Sequence, residues 1–595
     1  MQPQTIDLDA ELAAGAQPEQ HDTSDFASRP NLRIDNYVKQ LSSATRKRHK
    51  KVVALIKKAV KASDSGNHSE GARFAHEALG IAPEMALTNH VMGLMFLRLG
   101  RLSTALDFLE RAWKIDPKDP EIYQKLGLVA WKLDMLEVAE KFYRLQSQLT
   151  PNAVDAILNL SGVLRDRGLF DEAIEILRTA IFSHQENHEL WNSLGSVVSE
   201  SGDPAQAATF YTEALRLKPD FARAHNNMAN VYELLGEPEK ALPHYEEALK
   251  DPADAKDRAT MMHGRSMVML ASGMVKEGWD ANESRLDPNR DGATIFTMNC
   301  PMWDGEDLEQ IRGKKLIWIG EQGLGDEILF MNQVKDLIEA IGPEGELRMA
   351  CEYRLMDLVA RSFPQAKVYN HVSATIEGRD VRALPKVDVS SDYWTPMATP
   401  LRSLRPSLDS FPKDPGFLVA DPDRQAAFRD QLDGFGPGLK VGILWKSLKM
   451  NARRARFFSA FDAWKPVLDV PGIEFVNLQY GEVEEELALA RDRFGITVHQ
   501  PRDIDLKMDL DGVAALSAAC DLVIGPMNAT TNLAAASGGN VWFIHARSST
   551  WTLLGAGRSM WYPQTRSFFG EGFQDWDNTM ARVASELKSL SEQKA

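Results

Sequence analysis

The chain has 595 residues, 44% hydrophobic and 26% charged, and its 84 acidic and 68 basic side chains give a net charge of −16. That is an ordinary globular composition, and the acid surplus argues against a general nucleic-acid binder, which needs a basic face to neutralise phosphates. Cys300, Cys351 and Cys520 lie far apart, which excludes a disulfide framework and a Cys-rich metal site. No apolar run approaches the roughly 18 residues of a membrane span. The opening MQPQTIDLDAELAAG lacks the basic start and apolar core of a signal peptide. A cytoplasmic protein with no membrane or nucleic-acid partner is the expectation.

Residues 1–50 read as a mobile polar arm. The basic run Arg46–Lys51 at its end is either a docking patch for an acidic partner or the solvated face of the first helix. Beyond it the sequence repeats. Gly93, Gly127, Ser161, Gly195 and Ala229 are each 34 residues apart, and Ala105, Ala139, Ala173, Ala207 and Ala241 follow twelve later. Pro117, Pro151 and Pro219 close their units at the same period. Small residues suit the close crossing of two helices, and Pro ends the second because it has no N–H to donate.

This pattern resembles the tetratricopeptide repeat (TPR), and residues 51–290 are expected to form a TPR superhelix. In such an array the first helix of each pair lines the concave groove. Asn159, Asn192, Asn226 and Asn227 are then candidates to hold an extended acceptor peptide by its backbone, beside His90, Gln124 and Leu158 at the same phase. Leu94, Leu128 and Trp131 suggest that the docked segment is apolar. The alternative for all of them is packing between neighbouring helices.

After residue 255 the period fades, 273–286 reads as a closing helix, and Asp287–Gly292 is a break. Short apolar runs then alternate with helical stretches: Lys315–Ile319, Leu347–Ala350 and Lys367–Tyr369, followed by Val441–Trp445, Phe475–Leu478, Leu522–Ile524 and Val541–Ile544. Such alternation predicts parallel sheets covered by helices. Pro- and Gly-containing stretches divide the region into a first lobe at 296–410, a linker at 411–437 and a second lobe at 438–595.

Three segments could carry chemistry. Gly320-Glu321-Gln322-Gly323-Leu324-Gly325-Asp326 joins a strand to a helix. Gly323 and Gly325 are expected to permit a tight turn and close approach to a ligand, with a helix start supplying N–H groups to an anion. Asp326 or Glu321 could act as a general base, and Asp326 reads equally well as a helix cap. In the second segment Lys446 ends a strand and could neutralise a phosphate, supported by Lys449 or by Arg453, Arg454 and Arg456. In the third, Asn528, Thr530, Thr531 and Asn532 open a helix as a phosphate cradle or as plain caps. Asp503-Ile504-Asp505 nominally matches a DxD metal motif but reads as a turn, and His545 as a core histidine or a donor contact. No metal site is expected.

The join Pro301-Met302-Trp303-Asp304-Gly305 through GEQGLGDEILF resembles bacterial fusions of TPR arrays to glycosyltransferases. So do Trp445-Lys446, Leu478-Gln479-Tyr480-Gly481 and the late run Trp551 to Pro563. The resemblance covers roughly residues 52–575, and within these fusions the arrangement is similar to that of the alphaproteobacterial flagellin glycosyltransferases. It implies an α-solenoid followed by an α/β GT-B fold of two Rossmann-like lobes. The implied activity is metal-independent transfer of a nonulosonate of the pseudaminic-acid type to Ser/Thr of flagellin, with a CMP-sugar as donor and no other cofactor. Asp326 would be the base, Lys446 the donor-phosphate contact and the 527–532 turn the nucleotide-sugar site. Relatives usually read Ser-Val-Asp-Thr-Ala-Val-Ala-His where this chain has Gly-Pro-Met-Asn-Ala-Thr-Thr-Asn, so the usual Asp and His are missing. Rival readings are a non-catalytic TPR adaptor or chaperone for flagellin, or a transferase using UDP-GlcNAc, a heptose donor or another acceptor.

Overall fold

In the computed structural model, residues 50–376, 379–385, 390–447 and 452–594 are described. The polar arm, most of the basic run Arg46–Lys51, and Lys449 lie outside them. The chain divides into two compact units, one running to Ala224 together with Thr375–Arg379, the other comprising His225–Ala374 and Asp380–Ala595.

Among the described residues the first unit is built of paired helices from Lys50–Asp64 to Pro204–Leu217. Their starts follow from sequence: Asp119 and Asp203 each accept a backbone N–H just ahead of Pro120 and Pro204 at the first helical position. The 34-residue column of small residues marks the crossings. A Cβ on Gly127 would lie 2.6 Å from the Tyr143 ring, and one on Gly195 would lie 2.7 Å from the Tyr211 ring. A Gly127→Val variant is therefore expected to lose about 1–3 kcal/mol. A lower melting temperature of the helical unit would show it; an unchanged one would mean that Tyr143 swings aside freely.

The groove residues divide unevenly. Leu94 and Trp131 are buried, and the Trp131 indole donates to Asp166 Oδ2 at 2.9 Å. Both are corrected to packing positions, because a side chain closed off by neighbouring helices offers no surface to a docked segment. Asn159 and Asn192 are also buried, and Asn159 donates to Gln146 Oε1 at 3.4 Å. Leu128 keeps partial exposure.

The repeat pattern continues in the second unit. Asn226 is half-buried and Asn227 buried in helix Ala222–Leu234, and Gly264 of helix Ala255–Ala271 packs on Tyr245 as Gly127 does on Tyr143. The expected boundary at 290 thus differs from the break between compact units. The closing segment 273–286 is no simple cap either. Trp279 stands with its ring centre 6.0 Å from Trp561 and 6.5 Å from Phe330, inside one apolar core shared with both sheets.

Two parallel sheets follow. In the first the order is β4 (Lys367–Asn370), β3 (Glu346–Cys351), β2 (Lys315–Ile319), β7 (Tyr393–Pro396). In the second it is β10 (Val498–His499), β9 (Ile473–Asn477), β8 (Leu439–Ile443), β11 (Leu522–Pro526), β12 (Val541–Ile544), β13 (Arg566–Phe568). The inner strands are nearly continuous apolar runs because both faces are covered. β1 (Ile295–Thr297) pairs outside these sheets with β6 (Arg379–Ala383). The stretch 411–437, expected as a linker, contains helix Pro422–Asp433, which packs on helix Leu510–Ala519 while Arg424 pairs with Asp509. It belongs to the body of the unit.

The direction in which successive strands are added across the sheet reverses between β2 and β7 in one sheet and between β8 and β11 in the other. Ligands of open parallel sheets bind outside the carboxyl ends of strands at such switch points.

Candidate functional site

A cavity of about 640 Å³ lies at those ends. Its walls come from the segments after β2 and β3 on one side, and from those after β8, β9, β10, β11 and β12 on the other. The helices Leu324–Phe330 and Ala529–Ala536, which follow the two switch-point strands, meet at its floor, where Asn532 Nδ2 donates to the Gly325 carbonyl at 3.0 Å.

Asp326 lines this cavity, half-buried. Burial pushes its carboxyl up to about 6, opposed by a hydrogen bond from the Gly323 backbone and reinforced by the nearby charges of Glu321 and Glu327. Asp326 is the third residue of its helix and reaches back to the N-cap, so it serves as a cap while facing the cavity. Glu321 does not face this cavity. Its carboxylate takes Arg285 Nε at 2.7 Å and Nη2 at 3.1 Å and the Ala398 N–H at 2.6 Å. The expectation of Glu321 as a base is corrected: buried and engaged on both oxygens, it holds the segment in place.

The glycines act differently from expectation. Gly323 has φ −73°, open to any residue, and a Cβ there would meet only Asp326 Oδ2 at 3.6 Å. On Gly325 a Cβ would make ordinary contacts with Ala529 and Asn532. The constrained glycine is Gly320, where a Cβ would collide with the Glu327 carboxylate. Glu327 is itself buried, bonded to His371 Nε2 at 2.8 Å and to Arg382 at 3.2 Å.

Lys446 lies outside the cavity wall. Its ammonium pairs with Glu486, and its backbone N–H donates to Gln479 Oε1 at 2.9 Å. Ser447 reaches the wall instead, with Arg454. The 528 turn is likewise corrected as an N–H cradle. Asn528 Oδ1 accepts the N–H groups of Thr530 at 3.0 Å and Thr531 at 3.2 Å, and the Thr531 hydroxyl donates to the Pro526 carbonyl at 2.7 Å. An Asn at the N-cap consumes the donors that a phosphate would need. What remains toward the cavity is Thr530 and the outer atoms of two amides: Asn528 Nδ2 and Asn532 Oδ1 are buried with no hydrogen-bond partner among the described residues.

His545 Nε2 is a third buried, unpartnered polar atom in this wall. Burial, with Arg547 beside it, lowers the imidazole to about 4, so it is neutral near pH 7. Asp505 accepts the N–H groups of Lys507 and Met508 at 2.9 and 3.0 Å, which is turn duty.

Sequence reasoning missed Arg354 and Lys507, which bring cations to the cavity. Arg354 Nη1 donates to the Lys507 carbonyl at 2.7 Å, joining segments 153 residues apart. With Arg454 and Arg547 they leave Asp326 as the single carboxylate of the wall among the described residues. Phe458, Tyr480 and Trp551 supply aromatic faces. The arrangement suits an anionic ligand with a planar group, held beside one carboxylate that titrates near neutrality.

Fold and site together define a TPR protein whose helical array is joined to an α/β region with parallel sheets. Models of the tetratricopeptide repeat match residues 93–134, 158–220 and 222–250. The chain belongs to the family of Protein FlbA of Caulobacter vibrioides, with which it is 42% identical over 538 residues, 90% of each chain. It is also similar to human Protein O-mannosyl-transferase TMTC1, 28% identical over an alignment of 207 residues, with 28% of this chain and 23% of that one covered. Among solved structures it is similar to the thermophilic TPR protein TTC0263 of Thermus thermophilus, 25% identical, with TM-score 0.27 over 30% of this chain and 98% of that one. A second is the TPR protein YrrB, 19% identical, with TM-score 0.24 over 31% of this chain and 96% of the other. No helix among the described residues is long and apolar enough to cross a membrane.

Proposed function

We propose that the chain is a GT-B protein O-glycosyltransferase that moves a sugar from a CMP-nonulosonate to Ser/Thr hydroxyls of flagellin, with the TPR array recruiting the acceptor. The observation that carries this reading is the cavity at both switch points, where Arg354, Arg454, Lys507 and Arg547 share the wall with Asp326, the one carboxylate that the described residues place there, although Arg354 is paired with Glu352 and Arg547 with Glu233 outside it. Cations suit the phosphate of an activated sugar, and the aromatic faces suit its base. In the reaction the acceptor oxygen attacks the anomeric carbon, its proton passes to Asp326, and the bond to phosphate breaks with the electron pair leaving on CMP. Arg454 and Lys507 receive that charge beside Arg354, whose Nε is held by Glu352, and Lys446, paired with Glu486, lies outside the wall.

A non-catalytic flagellin adaptor is the second reading. It is favoured by Asn528, which fills the helix start that would otherwise meet phosphate. One experiment separates the two: the intact mass of flagellin co-expressed with the chain in cells that make nonulosonate donors. Transfer predicts mass increments of one sugar each. Unmodified flagellin that co-purifies with the chain would establish the adaptor, and flagellin that neither gains mass nor binds would remove both readings.

A further inference from the structure

Three buried polar atoms belong to residues that line the cavity and have no hydrogen-bond partner among the described residues: Asn528 Nδ2, Asn532 Oδ1 and His545 Nε2. What each can do is fixed by the other half of its side chain. Asn528 Oδ1 takes the N–H groups of Thr530 and Thr531, so the free end of this amide is its nitrogen, a donor. Asn532 Nδ2 donates to the Gly325 carbonyl, so the free end here is the oxygen, an acceptor. His545 is held neutral by burial, and a neutral imidazole nitrogen can serve in either sense.

The fold groups the three. Asn528 is the N-cap of helix Ala529–Ala536, and Asn532 lies four positions on, on the same face. β11 pairs with β12 so that Pro526 stands opposite Ile544, and His545 and Asn528 follow from those neighbouring strand ends. Arg547, two residues beyond His545, is paired with Glu233, while the other cations of the wall come from the segments after β3, β8 and β10. The patch also adjoins the position of the proposed base, because Gly325, which Asn532 holds, immediately precedes Asp326.

A ligand that covers these atoms excludes water from them and must satisfy them itself, because a buried donor or acceptor left bare costs more than an ordinary hydrogen bond contributes. An ionised phosphate or carboxylate brings no N–H or O–H to Asn532 Oδ1. Hydroxyl and acylamido groups bring a donor and an acceptor together. We infer that Asn528, Asn532 and His545 form a sugar-specificity patch, which receives an uncharged hydroxyl or acylamido substituent of the transferred sugar beside Asp326. The inference rests on the donor reading above and deepens it, since it assigns the residues that select the sugar, apart from those that hold the nucleotide.

The test is titration calorimetry on the full chain with three probes: CMP, CMP-N-acetylneuraminate, and CMP-deaminoneuraminate, in which a hydroxyl replaces the acetamido group. Asn528→Ser keeps an oxygen for the N-cap and deletes the free donor. His545→Phe, the second variant, keeps a buried ring and deletes its nitrogens. Each is expected to weaken both sugar nucleotides about threefold to tenfold, the size of one neutral hydrogen bond, and to leave CMP affinity unchanged. A larger loss for the acetamido sugar would place the acylamido group on the patch, and an equal loss for the two sugars would place a hydroxyl there. Variants that weaken CMP as much as the sugar nucleotides, or that weaken none of the three, would overturn the patch and leave the transferase reading standing. Failure of every nucleotide to bind the unaltered chain would remove the donor reading and the patch with it.

Discussion

An Asp326→Asn variant is expected to transfer sugar on the order of 10²–10⁴-fold more slowly than the unaltered chain, the usual contribution of a positioned base. Its kcat should fall with KM nearly unchanged, since the amide fills the same space. In the unaltered chain the rate should decline as pH drops below about 6, where the carboxyl takes up its proton, and the variant should lack that limb. Stability should move the other way. A carboxyl whose pKa is raised by folding contributes stability that is fully present below its unfolded value near 4 and lost as pH rises through about 6. At pH 7 the ionised Asp326 is therefore a burden on the order of 1–3 kcal/mol, and Asn relieves part of it. Melting curves at pH 7 and pH 4 would show the variant more stable at the first and without advantage at the second. A variant with full activity and an unchanged pH profile would reduce Asp326 to its helix-capping role.

The largest expected effect on folding belongs to Arg285. Its guanidinium is buried between Glu321 and Glu283 and donates to the Thr399 hydroxyl at 2.7 Å. Burial disfavours its charge, but the two carboxylates more than offset that and hold its pKa above the ordinary value. Arg285→Met would leave Glu321 buried and unpaired, at a cost of about 3–5 kcal/mol to the second unit. The double variant Arg285→Met with Glu321→Gln should recover much of that loss, because the stranded charge is gone. Thermal unfolding of the two variants checks this. A double variant no more stable than the single one would place the loss in packing or in the Thr399 contact instead.

The two parallel sheets are legible in the sequence for a simple physical reason. Both sheets are buried on both faces, so runs such as Leu316–Ile319 and Val441–Ile443 stand out as apolar stretches between helical segments. The second unit hid more. Gly264 continues the column of small residues one place out of register, so a search at a strict 34-residue spacing loses it. The tyrosines Tyr143, Tyr211 and Tyr245, opposite the small positions and spaced by 34 or twice that, would have revealed the continuation. Helix Pro422–Asp433 lies between Pro- and Gly-containing stretches that mark a linker in the sequence, and only Phe428 and Leu432 are buried on it.

The sequence by itself determined the repeat, the change from solenoid to alternating strands and helices, and the segment that carries Asp326. Those depend on periodicity and local turn chemistry, which each residue expresses wherever the chain goes. Tertiary structure decided which side chains of those segments are free to act. Glu321 and Asp326 are five positions apart in one segment, yet Arg285 claims the first and the cavity receives the second. Lys446 lies three residues beyond β8, not at its end as expected, and is drawn aside by Glu486, forty residues on. Arg354 and Lys507 meet from segments 153 residues apart. A charged group goes where its nearest partner and its burial are most favourable, and that depends on residues far away in the chain.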